Sequence, residues 1–393
     1  MGQPDDVLAG AGCGTGVVHG VDYDWLAGCT GCCTDPRFLG KTADAPVPTL
    51  SDRSSQRSDA PFGGARMTAL TTQSSPGAPA EDVRVGPLQE GDVDEADRVM
   101  RVAFGTFLGA PEPLQVFGDA QYVRPRFRAD PAWAFAATGS GGELLGSNFA
   151  TRWGSYGFFG PLTVRVDAWG RGIASALMRP VMERFEQWSV RQAGLFTFPQ
   201  SPRHIGLYQK FGFWPQHLTA LLEKPIRPRT KTDDLPGHAR LLDPGREIEL
   251  ADCRELTDRI FDGLDLTHEI RTTHAQRLGA TVLTQDGAEL DGFAVCHLGA
   301  GEAGSGSGFI KFAAVRPGPG TGERFEQLVT ACESLAATRG LSRLVAGVNT
   351  ARHDAYRRLL ARNYRPWLEG VLMQRPNEPG YARPDAYVID DLR

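Results

Sequence analysis

The chain has 393 residues, of which 41% are hydrophobic and 23% charged, a globular composition with apolar mass enough for two cores. A net charge of −5 excludes a dedicated nucleic-acid binder, which needs a basic face to neutralise phosphates. No apolar run is long enough to span a bilayer and no basic segment opens a leader. The sequence therefore predicts a cytoplasmic chain with no membrane segment.

Residues 1–81 are rich in Gly, Pro, Ser, Asp and Thr and show no helical or strand period. Such a segment cannot bury enough surface to offset its ordering entropy, and it reads as a disordered or non-native extension. Met67-Thr68-Ala69-Leu70 resembles an ordinary translation start. Cys29 and Cys32 have C-x-x-C spacing but lack a second ligand pair at zinc-finger distance, so no metal is expected. Cys253, Cys296 and Cys332 lie in apolar patterns and read as core residues.

From Val83 the pattern becomes ordered. Val83-Arg84-Val85 reads as a strand, and Asp92 to Leu108 as a helix with Val93, Ala96, Val99, Met100, Ala103 and Phe107 on one face. Trp133–Thr138 and Leu144–Thr151 read as strands joined by the turn Gly139-Ser140-Gly141-Gly142. Phe158 to Val164 is a third strand run. A turn with two glycines follows, then a long helix carrying Ile173, Leu177, Val181, Phe185 and Trp188 at helical spacing. Leu195–Phe198 predicts a short strand, His204–Phe211 a short helix and Phe213–Leu222 a closing strand. Residues 82–225 thus form one domain. Residues 226–246, rich in proline and charge, read as a linker, and 247–393 as a second domain.

The second domain repeats the first. An offset of 151 residues places Val164 on Val315, Gly212 on Asn363 and Phe213 on Tyr364, with the same order of elements. A further strand is expected at Ala386-Tyr387-Val388-Ile389. The expected class is α/β, an α+β arrangement of two tandem domains, each a twisted mixed sheet flanked by helices.

The chemistry is concentrated in Leu162-Thr163-Val164-Arg165-Val166-Asp167-Ala168-Trp169-Gly170-Arg171-Gly172-Ile173-Ala174-Ser175, a strand end, a tight turn and a helix start. The first amides of a helix have no internal partners and sit at the positive end of its dipole. Such an end binds phosphate where the backbone can approach closely, and Gly170 and Gly172 leave that approach open. Downstream lies Ile205-Gly206-Leu207-Tyr208-Gln209-Lys210-Phe211-Gly212-Phe213.

Together these two segments resemble the Gcn5-related N-acetyltransferases (GNAT), over residues 83–223. The resemblance implies that the Q/R-x-x-G-x-G/A turn of that family falls on Trp169 to Ala174 and holds the pyrophosphate of acetyl-CoA, with Arg171 and Ile173 inside that stretch and Ser175 next after it. It implies that Leu162 and Val164 lie on a splayed strand whose free backbone groups meet pantetheine and the acetyl carbonyl. Tyr208 would be the general acid that protonates the departing thiolate. Trp169 departs from the Gln or Arg usual at its position, and its backbone amide is expected to remain available. The general base is not identified: His204 lies one helical turn before Tyr208, and Glu143 sits in a turn.

At the 151-residue offset Gly170, Gly172 and Ala174 meet Thr321, Glu323 and Phe325, and Tyr208 meets Leu359. A one-residue slip would pair Gly320-Thr321-Gly322 with the turn instead. The second copy therefore reads as degenerate. The resemblance implies acetyl transfer to a primary amine, small molecule or peptide, by direct attack in a ternary complex, in a chain free to form a homodimer. The alternatives are a non-catalytic acyl-CoA sensor, which Trp169 favours, and a longer acyl-CoA donor.

Overall fold

The computed structural model describes residues 82–229, 235–287 and 289–393. The expectations for Cys29, Cys32 and Met67 lie outside the described residues. None of the described helices is long and apolar enough to cross a membrane.

The first half opens with β1 (Arg84–Pro87) and α1 (Val93–Phe107). The predicted apolar stripe of α1 is its buried face, with Val93, Ala96, Val99, Met100 and Ala103 turned inward. A short helix α2 (Val123–Ala129), absent from the sequence expectation, precedes the hairpin β2 (Ala134–Thr138) and β3 (Leu144–Trp153). Next come β4 (Tyr156–Phe159), β5 (Thr163–Val164), α3 (Ile173–Gln187), β6 (Gln192–Thr197), α4 (Pro202–Gln209) and β7 (Trp214–Pro225).

One correction concerns the run Phe158–Val164, which is two strands and not one. Backbone direction changes at Gly160, whose φ of 137° only glycine adopts freely. β5 then folds over β3, with Gly146 opposite Val164 and Ser147 opposite Thr163. Leu162 lies between the strands.

The second half follows the same order: β9 (Gly279–Asp286), β10 (Glu289–Leu298), β11 (Ser307–Val315), α7 (Thr321–Thr338), β12 (Arg343–Asn349), α8 (His353–Ala361) and β13 (Arg365–Arg375). It is preceded by β8 (Ala239–Leu241), α5 (Glu247–Asp258) and α6 (Thr267–Ala275), and followed by β14 (Val388–Ile389). The predicted linker 226–246 is corrected by β8, which pairs with β9 and extends the second half's sheet. The three C-terminal cysteines are buried, as expected.

The two halves do not form separate sheets. The main path runs β1-β2-β3-β4-β6-β13-β7-β12-β11-β10-β9-β8. Each half's closing strand lies against the other half: β13 pairs with β6, Leu372 opposite Phe196, and β7 pairs with β12, Leu222 opposite Ala346. The two closing strands also pair with each other at the centre. Separating the halves would break three ladders and strand their backbone groups, each needing a new partner.

A third correction concerns the internal alignment. The 151-residue offset holds at Gly212 and Asn363, both left-handed, with φ of 81° and 67°, and at the fully buried Phe213 and Tyr364. It fails at the helix entries. The N-cap of α3 is Gly172 (φ 76°, ψ 2°) and that of α7 is Gly320 (φ 77°, ψ 8°), so the counterpart of Gly172 is Gly320, not Glu323.

Candidate active site

β4 and β6 run parallel from Tyr156–Phe158 and Gln192–Gly194, then diverge. Beyond the split, Phe159 on one strand and Leu195 to Thr197 on the other line a cavity of about 680 Å³, within the usual size of small-molecule sites. Gly170, Gly172, Ala174 and Ser175 line it from the start of α3, and Tyr208 from α4. The two sequence motifs thus meet in one cavity.

The turn is built for close approach. Gly170 (φ 82°) and Gly172 (φ 76°) both take left-handed conformations that a side chain strains. A Cβ at Gly170 would meet nothing within 4 Å, so the turn's outer face is open. The first amides of α3 lack carbonyls one turn back, which leaves donors for an anion. Ile173 is buried in the core and anchors the helix, whereas Arg171 is exposed and is not among the lining residues.

Trp169 and Val164 are corrected together. The Trp169 amide donates to the Val166 carbonyl at 3.3 Å, and the indole Nε1 donates to the Val164 carbonyl at 2.8 Å. Neither the Trp169 amide nor the Val164 carbonyl is therefore a free group. Trp169 fastens the strand end to the turn, at the position where the family's Gln or Arg is expected to touch phosphate.

Tyr208 is only 8% exposed and packs against Phe159 with centroids 5.7 Å apart and ring planes inclined at 58°. Burial drives its phenol well above the ordinary tyrosine value, with a Thr197 hydrogen bond acting in the opposite direction. The phenol therefore holds its proton throughout neutral pH, the state a donor requires. Four residues earlier, His204 is clasped between Phe107 (4.9 Å) and Phe198 (6.3 Å). Burial, and next the neighbouring Arg203, lower its pKa, so the imidazole is neutral at pH 7; its Nδ1 has no partner. Glu143 is exposed in the β2–β3 turn and is not among the lining residues.

The second half supplies walls that sequence reasoning missed. Trp367 and Leu368 reach the cavity because β13 is exchanged, and Leu392 and Arg393 come from the C-terminal segment. A buried ionic cluster ties this half to the strand split. Arg126 of α2 donates to Glu302 at 2.9 and 3.2 Å and also to the carbonyl of Gly160. Lys311 donates to the same carboxylate at 2.9 and 3.0 Å. Burial alone would raise the Glu302 pKa; Arg126 and Lys311 outweigh it and hold the carboxyl well below the carboxylate range. No short motif marks these residues, and Arg126 lies 176 residues before Glu302.

Residues 106–213 match the acetyltransferase (GNAT) family, the segment that holds the turn and Tyr208. That segment is similar to a GNAT domain. Among solved structures, a candidate acetyltransferase from Pyrococcus horikoshii is 14% identical with a TM-score of 0.58, covering 80% of this chain and 97% of that one. A GCN5-related N-acetyltransferase from Sphaerobacter thermophilus is 15% identical with a TM-score of 0.51, covering 76% and 96%. The N-myristoyltransferase of Saccharomyces cerevisiae with bound myristoyl-CoA is 9% identical with a TM-score of 0.54, covering 80% and 90%. At these identities the likeness is one of fold, and it extends over both halves of the chain. No curated protein matches the sequence. A GNAT fold supports acyl-CoA-dependent acyl transfer in general.

Proposed function

We propose that the protein transfers the acetyl group of acetyl-CoA to a primary amine in the β4/β6 cavity. The observation that carries this reading is that the left-handed glycine turn and the protonated Tyr208 line the same cavity. The α3 amides and the open face at Gly170 suit a pyrophosphate, and the split strands suit an extended thioester arm. In the transfer, the amine nitrogen bonds to the acetyl carbon as the carbon–sulfur bond breaks. Tyr208 gives its proton to the sulfur, and the nitrogen sheds one of its own to solvent.

In this reading 247–393 is a degenerate second copy that shapes the site without holding acyl-CoA. Calorimetric titration of the full chain with acetyl-CoA, beside thiol release on adding a primary amine, tests the proposal. Binding at one site per chain with amine-dependent release is expected. Binding without release from any amine would make the protein a sensor, and no binding would end the reading.

A further inference from the structure

The acceptor side of the cavity has a distinct chemistry. Among the described residues no side chain of its lining is that of Asp or Glu; of its cations Arg203 and Lys210 are exposed to solvent, and Arg393 is paired with the buried Asp391 at 3.2 Å. The carboxylates of the adjoining α1 are already engaged: Asp94 with Arg124, Glu95 with Arg98 and Asp97 with Arg101. Asp119, on the loop that follows, accepts hydrogen bonds from the amide and hydroxyl of Ser305.

What the wall presents instead is rings. Phe104 and Phe117 meet edge to face at 5.7 Å, Phe107 and Phe198 lie 4.9 Å apart, and Phe117 meets Tyr122 at 5.2 Å. All five line the cavity. They come from α1, the α1–α2 loop and the end of β6, so three separate elements converge on one apolar box.

Resting on the acetyl-transfer reading, we infer that the acceptor is a monoamine with an aromatic or otherwise apolar body, and not a polycation. A second ammonium would enter a low-dielectric wall of rings that offers it no acidic side chain, an arrangement that rejects it by uncompensated desolvation. A single amino group on an apolar body meets no such conflict. Ring faces attract it while it is charged, and edge-to-face contacts hold an aryl body. The same apolar surroundings lower the pKa of a bound amine, because desolvation disfavours the ammonium. The cavity thereby helps produce the neutral nucleophile that attack requires, in a site lined by no Asp or Glu side chain among the described residues.

The test compares 2-phenylethylamine with spermidine and kanamycin on the full chain. Thiol release from acetyl-CoA should give phenylethylamine a kcat/KM at least about tenfold above either polycation, and calorimetry should show phenylethylamine binding even without CoA. Equal or better turnover of spermidine or kanamycin overturns the inference, as does failure of phenylethylamine to bind either form. Displacement of bound phenylethylamine by octanoyl-CoA but not by acetyl-CoA would assign the rings to an acyl chain, and also overturns it. If acetyl-CoA fails to bind while phenylethylamine still does, the acetyl-transfer reading falls and the apolar amine site stands. Leu108→Glu, at the half-buried end of α1, sets a carboxylate into the wall. It should shift preference toward spermidine by about tenfold; unchanged preference in the folded variant overturns the inference. If that variant melts below assay temperature, Phe107→Glu is read the same way.

Discussion

Both halves part a parallel strand pair at the same point of the fold, and they treat the gap differently. In the first half β4 and β6 diverge after Phe158 and Gly194, and the cavity occupies the gap. In the second, β11 and β12 pair over Ser307–Ile310 and Arg343–Ala346, after which β14 enters: Val388 pairs with Ala314 and Ile389 with Ala313. Arg352 holds this insert by donating to the Val388 carbonyl at 3.0 Å and pairing with Asp390 at 2.9 Å. Tyr387 packs on Phe325 at 5.4 Å, and the Arg358 guanidinium covers the first turn of α7, so close that a Cβ on Gly322 would collide with it. Both helices begin on a left-handed glycine all the same. If the first entry holds the pyrophosphate as proposed, a glycine entry alone does not make such a site; the strand gap must also be open and the helix end uncovered.

The comparison makes Tyr208 the residue with the largest expected effect. Its counterpart, Leu359, is fully buried and has no proton to give. Tyr208→Phe keeps the ring against Phe159 and removes only the donor. Turnover should fall by about 10²–10⁴-fold, the usual contribution of general acid catalysis, with acetyl-CoA affinity nearly unchanged in a titration. Unchanged turnover would leave Tyr208 as a packing residue like Leu359.

Next in size is the paired change Gly172→Glu and Gly320→Glu. At φ near 76° either substitution costs about 1–2 kcal/mol of backbone strain, so both variants should melt lower. Only Gly172→Glu should weaken acetyl-CoA. Losing one phosphate-directed hydrogen bond to an ionised group costs about 1.5–3 kcal/mol before repulsion is added, which is tenfold or more in affinity. Weakened binding in Gly320→Glu would mean that the second entry also holds the ligand.

The insert itself can be loosened. Ile389 is fully buried, and Ile389→Ala should cost about 2–5 kcal/mol of stability by leaving a cavity beneath β14. Denaturant unfolding measures the loss. Titration at a temperature where the variant is folded should still count one acetyl-CoA per chain, because Arg358 continues to cover α7.

Much of this difference is legible in the sequence in outline. The stripe on α1 and the glycine turn before Ile173 follow local rules of period and φ, and local rules survive in a single sequence. Gly212 and Asn363 align correctly for the same reason, since a left-handed residue before a buried aromatic is a short-range signal. The helix entries misalign because the turns before Gly172 and Gly320 differ in length, and a fixed offset cannot absorb that. Exchange of β7 and β13 leaves no trace, as either partner satisfies the same apolar alternation. The cluster of Arg126, Glu302 and Lys311 stays hidden because each residue alone looks like a solvated surface charge. Phe158–Val164 reads as one strand since apolar content persists through the bend at Gly160.

The smallest effect separates His204 from its counterpart in the repeat, Ala355, which carries no titratable group. Burial lowers the His204 pKa in the folded chain, whereas in the unfolded chain it lies near 6.5. Above that value both states are neutral and the residue adds no pH dependence. As pH falls below it, the unfolded chain takes up a proton that the folded chain resists, so stability is lost on acidification until the folded pKa is passed. His204→Phe preserves the ring contacts to Phe107 and Phe198 and removes this proton. Thermal melts from pH 7 to pH 5 should therefore fall more steeply for the wild type than for the variant. His297, also buried and also lowered, is present in both proteins and cancels in the difference. The size of the effect is set by how much more tightly the unfolded chain holds the proton, each tenfold in that affinity being worth about 1.4 kcal/mol. Parallel melts would show that the imidazole gains a compensating partner on protonation, and Nδ1, unpaired in the neutral state, is the atom that would have to find it.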